Sequence, residues 1–389
     1  MTSIKNFYMT VKPLKLIIMG CLSLTIAACS SPGSMQLEPA SLEAFEEQRQ
    51  LVQLWSVTVG KGDSNSSSLV QPSLSDSAVF AAAGQQLGSY DLVTGAVNWN
   101  VDLGELIMAG VGQLNEQLFV ATQSGKLIAV SSVDGAVLWQ VNTSSEALAT
   151  PQTNSKIVVV QTIDGKVSAY AVEDGKFQWS HTANLPSLTL RGTSVPIVNE
   201  SYTYAGFASG KLVALDNKVG TVVWQKTIGA AAGRSEIERL VDVDGAFTLL
   251  DNRLYVASYQ GSVAAIDALT GAVIWQQPVS SGTGTSLVGD AILVVDAQDT
   301  VLAYDRQVGH VLWQNDDLKY RLLSAPMALA NQVLVVDGQG YAHMLKLSDG
   351  GFLGRQKMPI KGTRLGSKSY QDNIFLLSQD GRLTHLGLQ

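Results

Sequence analysis

The stretch Ala265-Ile266-Asp267-Ala268-Leu269-Thr270-Gly271-Ala272-Val273-Ile274-Trp275 decides the fold of this chain. A short run of branched and small residues leads into a turn at Thr270-Gly271, and a second apolar run ends on Trp275. Gly at a turn position that needs φ > 0, flanked by β-branched residues, marks a tight hairpin between two strands. Outward from this copy, the unit recurs as Thr94-Gly95 before Trp99, Asp134-Gly135 before Trp139 and Asp174-Gly175 before Trp179. It continues as Val219-Gly220 before Trp224 and Val308-Gly309 before Trp313. Asp349-Gly350 starts another copy with Gly354 at the Trp position, while Trp55 stands near the beginning without the preceding half of the unit. All seven Trp fall on this column, at intervals of 44, 40, 40, 45, 51 and 38 residues, with 41 more to Gly354.

A second column lies upstream of each turn: Leu87–Tyr90, Leu127–Val130, Val167–Tyr170, Leu212–Leu215, Val263–Ile266, Val301–Tyr304, Ala342–Leu345 and Leu383–Leu386. Most of these runs place a small residue third, as in Ala129, Ala169, Ala214, Ala265 and Ala303. Further β-rich runs precede them, such as Ile157–Val160, Ile292–Val295 and Val333–Val336. A period near 42, with about four strands per unit, is what a β-propeller requires. Both columns count eight, so the expected fold is all-β: an eight-bladed β-propeller of four-stranded antiparallel blades. The strand around Trp55 should complete the last blade and close the ring, hiding its edges. The Trp rings are expected to hold one blade against the next, and the small residues to allow close packing where blades converge on the axis.

The first residues carry a different message. Lys5, Lys12 and Lys15 form a basic region without acids, followed by the short apolar stretch Leu16–Ala28. That stretch is below the ~20 residues a membrane span needs, and it ends in small residues like a cleaved signal peptide. Its end, Ile26-Ala27-Ala28-Cys29, resembles a bacterial lipobox, which implies lipidation of Cys29 after cleavage. Several acyl chains on one residue satisfy the need for more than one lipid in stable anchoring. The expected organisation is therefore a signal peptide at 1–28, a lipidated N-terminus and tether at 29–50, and the propeller at 51–389. Within the tether, Leu42–Leu54 has the composition of a short helix but no sustained apolar face.

Composition narrows the function. A hydrophobic content of 46% against 15% charged residues suits a globular protein and excludes disorder. The net charge of -7 argues against a nucleic-acid partner gripped through its phosphates. Cys21 and Cys29 are the only cysteines, so nothing beyond them can form a disulfide, a Cys-ligated metal site or a thiol nucleophile. His181, His310, His343 and His385 lack ligand spacing. Asp242-Val243-Asp244-Gly245 begins like a Ca²⁺ loop but lacks the later ligands. No Gly-x-Ser-x-Gly elbow, P-loop or Gly-x-Gly-x-x-Gly is present. Asp134 and Asp174 recur with the hairpins and fit turn chemistry.

The two longest Trp intervals, 45 and 51, are consecutive. Their extra length follows Trp179 and Trp224 in the same register, so both loops should emerge on one face from neighbouring blades. Insertions gathered on one face of a repeat protein mark its binding surface. The first loop offers Leu185, Leu188 and Leu190 beside Arg191; the second offers Arg234, Glu236, Glu238, Arg239, Asp242 and Asp244. Apolar anchors ringed by charge suit a protein interface. The residues alone equally allow Arg191 to pair with Asp242 or Asp244 inside the protein, and the two readings are compatible.

The unit Ala-x-Asp-x-x-Thr-Gly-x-Val-x-Trp resembles the tryptophan-docking repeat of quinoprotein (PQQ) dehydrogenases. With the lipobox and eight units, the whole chain from Cys29 to Gln389 more closely resembles the BamB family, lipoproteins of the outer-membrane β-barrel assembly machinery. Leu185–Gly192 and Glu238–Asp244 sharpen the likeness. The resemblance implies a non-enzymatic scaffold without cofactor or metal, anchored to the periplasmic face of the outer membrane. It implies docking on the POTRA domains of BamA, with Leu188, Leu190, Arg191, Asp242 and Asp244 as contact residues, and work on unfolded outer-membrane proteins. A PQQ-dependent oxidoreductase and a small-ligand-binding propeller stand as alternatives.

Overall fold

In the computed structural model the hairpin of the opening stretch is formed by Gly261–Asp267 and Val273–Val279, paired antiparallel. The structure describes residues 38–62, 69–186, 188, 194–229, 235, 240–243, 245–359 and 365–389; Cys29 lies outside them. Asp267 Oδ1 accepts the Leu269 and Thr270 amides at 3.1 and 2.8 Å and the Thr270 hydroxyl at 2.7 Å. These bonds hold the Asp267 carboxyl below its ordinary pKa, the Thr270 hydroxyl first among them. Gly271 takes φ 71°, where a side chain is strained. Asp91 and Thr94 repeat the arrangement four blades earlier in the ring. Asp134 and Asp174, directly before their turn glycines, accept the Ala136 and Lys176 amides at 3.2 and 3.1 Å, so both recurrent Asp positions are turn residues.

The strands assemble into eight sheets, each of four antiparallel strands in simple meander order. Blade 1 runs from Ser73–Leu74 to Val97–Asp102, and blade 2 from Ile107–Leu114 to Val137–Asn142. Blade 2 also carries a short parallel strand, Leu69–Val70, on its inner side. Blades 3 to 6 end on Phe177–Thr182, Val222–Thr227, Val273–Val279 and Val311–Asn315. Blade 7 consists of Met327–Leu329, Gln332–Val336, Tyr341–Lys346 and Phe352–Lys357. Blade 8 takes three strands from Gly366–Leu388 and its outermost from Leu51–Thr58, which pairs antiparallel with Arg382–Leu388. The N-terminal strand thus closes the ring as expected.

The hydrophobic core is divided among the seams. Eight apolar clusters each draw on two consecutive blades, from the blade 1–blade 2 cluster around Leu118 and Val120 to the blade 8–blade 1 cluster around Tyr90 and Phe375. Across seven of these seams an indole reaches into the next blade's hairpin. Trp55, Trp99, Trp139 and Trp179 donate Nε1–H to the carbonyls of Leu92, Ser132, Val172 and Asn217 at 3.2, 3.0, 2.9 and 2.7 Å. Trp224, Trp275 and Trp313 do the same to Ala268, Arg306 and Leu347 at 3.0, 3.0 and 2.7 Å. Each ring lies flat on the turn glycine beside that carbonyl, from Gly95 under Trp55 to Gly350 under Trp313. A Cβ on any of these glycines would enter the indole, so the turn glycine and the Trp of the preceding blade are one joint.

Two expectations are corrected. The small-residue column does not line the axis. Ala129, Ala169, Ala214, Ala265 and Ala303 sit on third strands, directly opposite Trp139, Trp179, Trp224, Trp275 and Trp313 on the outer strands. A small side chain there leaves room for the indole. Blade 7 inverts the pair, with Met344 opposite Gly354. The segment Leu42–Leu54 is not helical: it has no regular secondary structure through Gln50 and continues into the Leu51–Thr58 strand.

Meander topology assigns every loop to one of two faces. Hairpins between second and third strands share a face with the connectors that lead to the next blade. The Trp-docking turns, between third and fourth strands, lie on the opposite face.

Candidate docking surface

The two long connectors are residues 183–196, between blades 3 and 4, and 228–247, between blades 4 and 5. Both follow a fourth strand, so both lie on the connector face and flank blade 4. The first leaves over the blade 3 hairpin, where the Ala183 amide donates to the Gly165 carbonyl at 2.9 Å and Leu185 packs on Gly165. It returns at Ser194, which is buried; its hydroxyl donates to Gln161 Oε1 at 3.1 Å and to the Gly206 carbonyl at 3.0 Å.

The second connector is held by apolar feet. Val241, Val243 and Phe247 are buried, and the last two join the cluster between blades 4 and 5. Both connectors converge on Gly206. The Ser194 hydroxyl accepts the Gly206 amide at 3.0 Å, and a methyl group on Gly206 would overlap the Val243 carbonyl and the Phe247 ring. This glycine is needed for close approach of chain to chain.

The sequence-derived contact residues fall into three groups. Leu188 is 41% exposed and free to act as an apolar anchor. Asp242 is only 2% exposed; its carbonyl accepts the Tyr259 amide at 2.8 Å, bridging the connector to the blade 5 hairpin. Its carboxylate therefore lies beneath the surface. Leu190, Arg191 and Asp244, with Arg234, Glu236, Glu238 and Arg239, lie outside the described residues. Reading the sequence missed Gly206 and Ile163. Ile163 is exposed at the tip of the hairpin that receives the first connector. Its signal was an apolar residue directly before the turn pair Asp164-Gly165.

Among the described residues, no group of three His, Cys, Asp or Glu side chains is placed to hold a metal ion. His343 and His385 are buried strand residues, and burial pushes both imidazoles below their ordinary value, His385 to about 4.

Fold and surface together define the class: an eight-bladed propeller of tryptophan-docked, PQQ-like repeats, with two connectors built out from one face. Residues 83–315 match the family model described as "Outer membrane protein assembly factor BamB". The chain is 42% identical over 363 residues to the protein of that name from Pseudomonas aeruginosa, covering 93% of this chain and 96% of that one. It is 30% identical over 381 residues to the Escherichia coli protein of the same name, covering 94% and 97%. The crystal structure of BamB from Moraxella catarrhalis matches 87% of this chain and 100% of its own at a TM-score of 0.79 and 29% identity. The chain belongs to the BamB family of outer membrane protein assembly factors. A quinohemoprotein alcohol dehydrogenase from Comamonas testosteroni, at 12% identity and a TM-score of 0.69 over 87% of this chain and 76% of its own, shares the fold alone.

Proposed function

We propose that this chain is a lipid-anchored, non-enzymatic scaffold of outer-membrane protein assembly, working at the periplasmic face of the outer membrane. It docks through the paired connectors flanking blade 4 on the periplasmic POTRA domains of a BamA-type barrel. The observation that carries the reading is the convergence of both connectors on Gly206. Ser194 at the end of the first connector and Val243 and Phe247 at the foot of the second are held against one backbone position, so the roots of two long loops from different seams are fixed together. Pre-ordering of this kind lowers the entropy lost on docking. Family membership supplies the biological setting, and the Cys29 lipobox supplies the anchor.

Co-purification from detergent-solubilised envelopes tests this, with folding followed by circular dichroism. The wild-type chain is expected to bring down a large outer-membrane barrel protein, and a folded Arg191→Glu or Leu188→Asp variant to lose it. Retention of the barrel by both variants would move the docking site elsewhere. Its absence from the wild type would sink the assembly reading.

A further inference from the structure

The N-terminal segment beside blade 7 is a seated strap. The Ala40 amide donates to the Lys319 carbonyl at 2.9 Å, in the connector between blades 6 and 7. Leu42 packs on the blade 6–blade 7 cluster, and Phe45 stacks on Phe352 with ring centroids 5.2 Å apart. The Gln48 and Arg49 amides then donate to the Leu353 carbonyl at 2.8 and 3.0 Å. Gln50 exchanges backbone hydrogen bonds with Gln389. The segment therefore crosses the outer edge of blade 7, from the connector face at Ala40 to the Trp-turn face at Gln50.

Two arginines hold it. Arg321 is buried, with Nε and Nη2 on Asp337 Oδ2 at 2.8 and 2.7 Å, and its Nη1 donates to the Ala40 carbonyl at 2.7 Å. Asp337 also accepts the Gln339 and Tyr341 amides. His343 Nε2 lies 3.1 Å from Asp337 Oδ2, and Arg355 Nε donates to His343 Nδ1 at 3.2 Å. Those partners assign the neutral Nε2–H tautomer. Arg355 Nη1 donates to the Glu43 carbonyl at 2.9 Å, and its guanidinium lies 5.0 Å over the Phe45 ring. Without the strap, a buried guanidinium N–H of Arg321 would lose its acceptor, a costly vacancy. The strap is thus part of how blade 7 satisfies its own charges.

We propose that this clamp orients the propeller on its tether by making the chain leave the disc at Ala40 on the connector face, the face that carries the docking connectors. The proposal rests on lipidation of Cys29. The 11 residues from Cys29 to Ala40 span at most ~36–40 Å. A released strap would move the departure point to Gln50 on the opposite face and lengthen the leash to 21 residues, or ~70–75 Å. Arg321 and Arg355 are positioning residues for the tether, and the clamp selects which face the membrane sees.

The test uses the acylated lipoprotein on phosphatidylcholine vesicles carrying a headgroup energy-transfer acceptor. A single donor dye is placed through Gln298→Cys on the connector face or Ser348→Cys on the Trp-turn face, both exposed positions. The connector-face dye is expected to transfer several-fold more. Arg355→Gln, or Leu42→Ser with Phe45→Ala, is expected to bring the ratio to about one and to expose the Gln48 and Arg49 amides to hydrogen exchange. The latter pair lies outside the blades, and circular dichroism checks that the ring stays folded in that variant. Flotation with vesicles but no asymmetry, or an asymmetry that survives strap release, would overturn the orientation. Failure to float would overturn the lipid-anchor reading and the orientation with it, while amide exchange still reports the strap itself.

Discussion

The outer edge of blade 7 and the outer edges of blades 2, 4, 5 and 6 solve one problem in opposite ways. In every blade the outer strand carries a β-bulge at the third-strand pairing next to the Trp position. The bulged residue is Leu138, Val223, Ile274 or Leu312 in blades 2, 4, 5 and 6, and these are 41–52% exposed. In blade 7 it is Leu353, which is 9% exposed because the strap lies on it. A bulge twists an edge away from strand partners, and a cover removes the edge altogether. Blade 7 needs the cover because it lacks the Trp. An indole there would have to dock on a turn between the third and fourth strands of blade 8, and those strands come from opposite ends of the sequence. With no turn to dock on, Met344 replaces the small residue and Gly354 the indole, and the Arg49 carbonyl fills the space above Gly354.

The largest expected effect separates a docked seam from the strapped one. Trp313→Ala removes a ring seated on Gly350 and a 2.7 Å hydrogen bond, and should cost about 3–5 kcal/mol in urea unfolding. Restoring the consensus in blade 7, by Met344→Ala with Gly354→Trp, should destabilise as well, since the indole meets the Arg49 carbonyl. Hydrogen exchange would show the strap released. A rise in melting temperature on adding that Trp would break the contrast between the two edges.

These outcomes also mark how far the residues could be read in advance. The period, the blade count, the closing strand and the Asp turns were readable because each is local and repeated. The Ala column was readable as a column but not in its place, since pairing opposite Trp is fixed by register across a hairpin. The strap was not readable. Its bonds join Arg321 to Ala40 and Arg355 to Glu43, separations of 281 and 312 residues, and they end on carbonyls, which carry no side-chain signature. Gly206 stayed hidden for a related reason: its role is to lack a Cβ where two distant connectors meet.

A second prediction concerns the closing blade, where Trp55 meets His385 edge-on at 5.2 Å and Phe375 stacks on the same imidazole at 4.3 Å. Burial between these rings pushes the His385 pKa down to about 4. Unfolded, the side chain titrates near 6.5, so between those values only the unfolded chain binds the proton. Stability is therefore complete above about pH 6.5 and is lost as pH falls toward 4, by roughly 2–3 kcal/mol. Denaturation midpoints measured from pH 7.5 to 4.5 should show this slope, and His385→Gln should reduce it, leaving the part that the imidazoles of buried His343 and half-buried His181 contribute in the same direction. An unchanged slope would assign the acid sensitivity to other groups, Asp337 being outside this window because its hydrogen bonds outweigh burial and hold it at about 2.

The smallest effect tests the edges most directly, because it compares one residue type at one structural position. Leu353→Ala removes a side chain packed between the strap and the blade 7–blade 8 cluster, and should cost about 2 kcal/mol. Leu312→Ala removes the equivalent bulged leucine from blade 6, where 52% of it is already in water, and should change stability by less than about 0.5 kcal/mol. Removing the strap's grip with Leu42→Ser and Phe45→Ala should then shrink the Leu353→Ala cost toward the Leu312→Ala value, because a released strap leaves both leucines on open edges. A double-mutant cycle measures that convergence. If Leu353→Ala keeps its full cost in the strap variant, the leucine is buried by the blade seam rather than by the strap, and the two edges differ in packing rather than in cover.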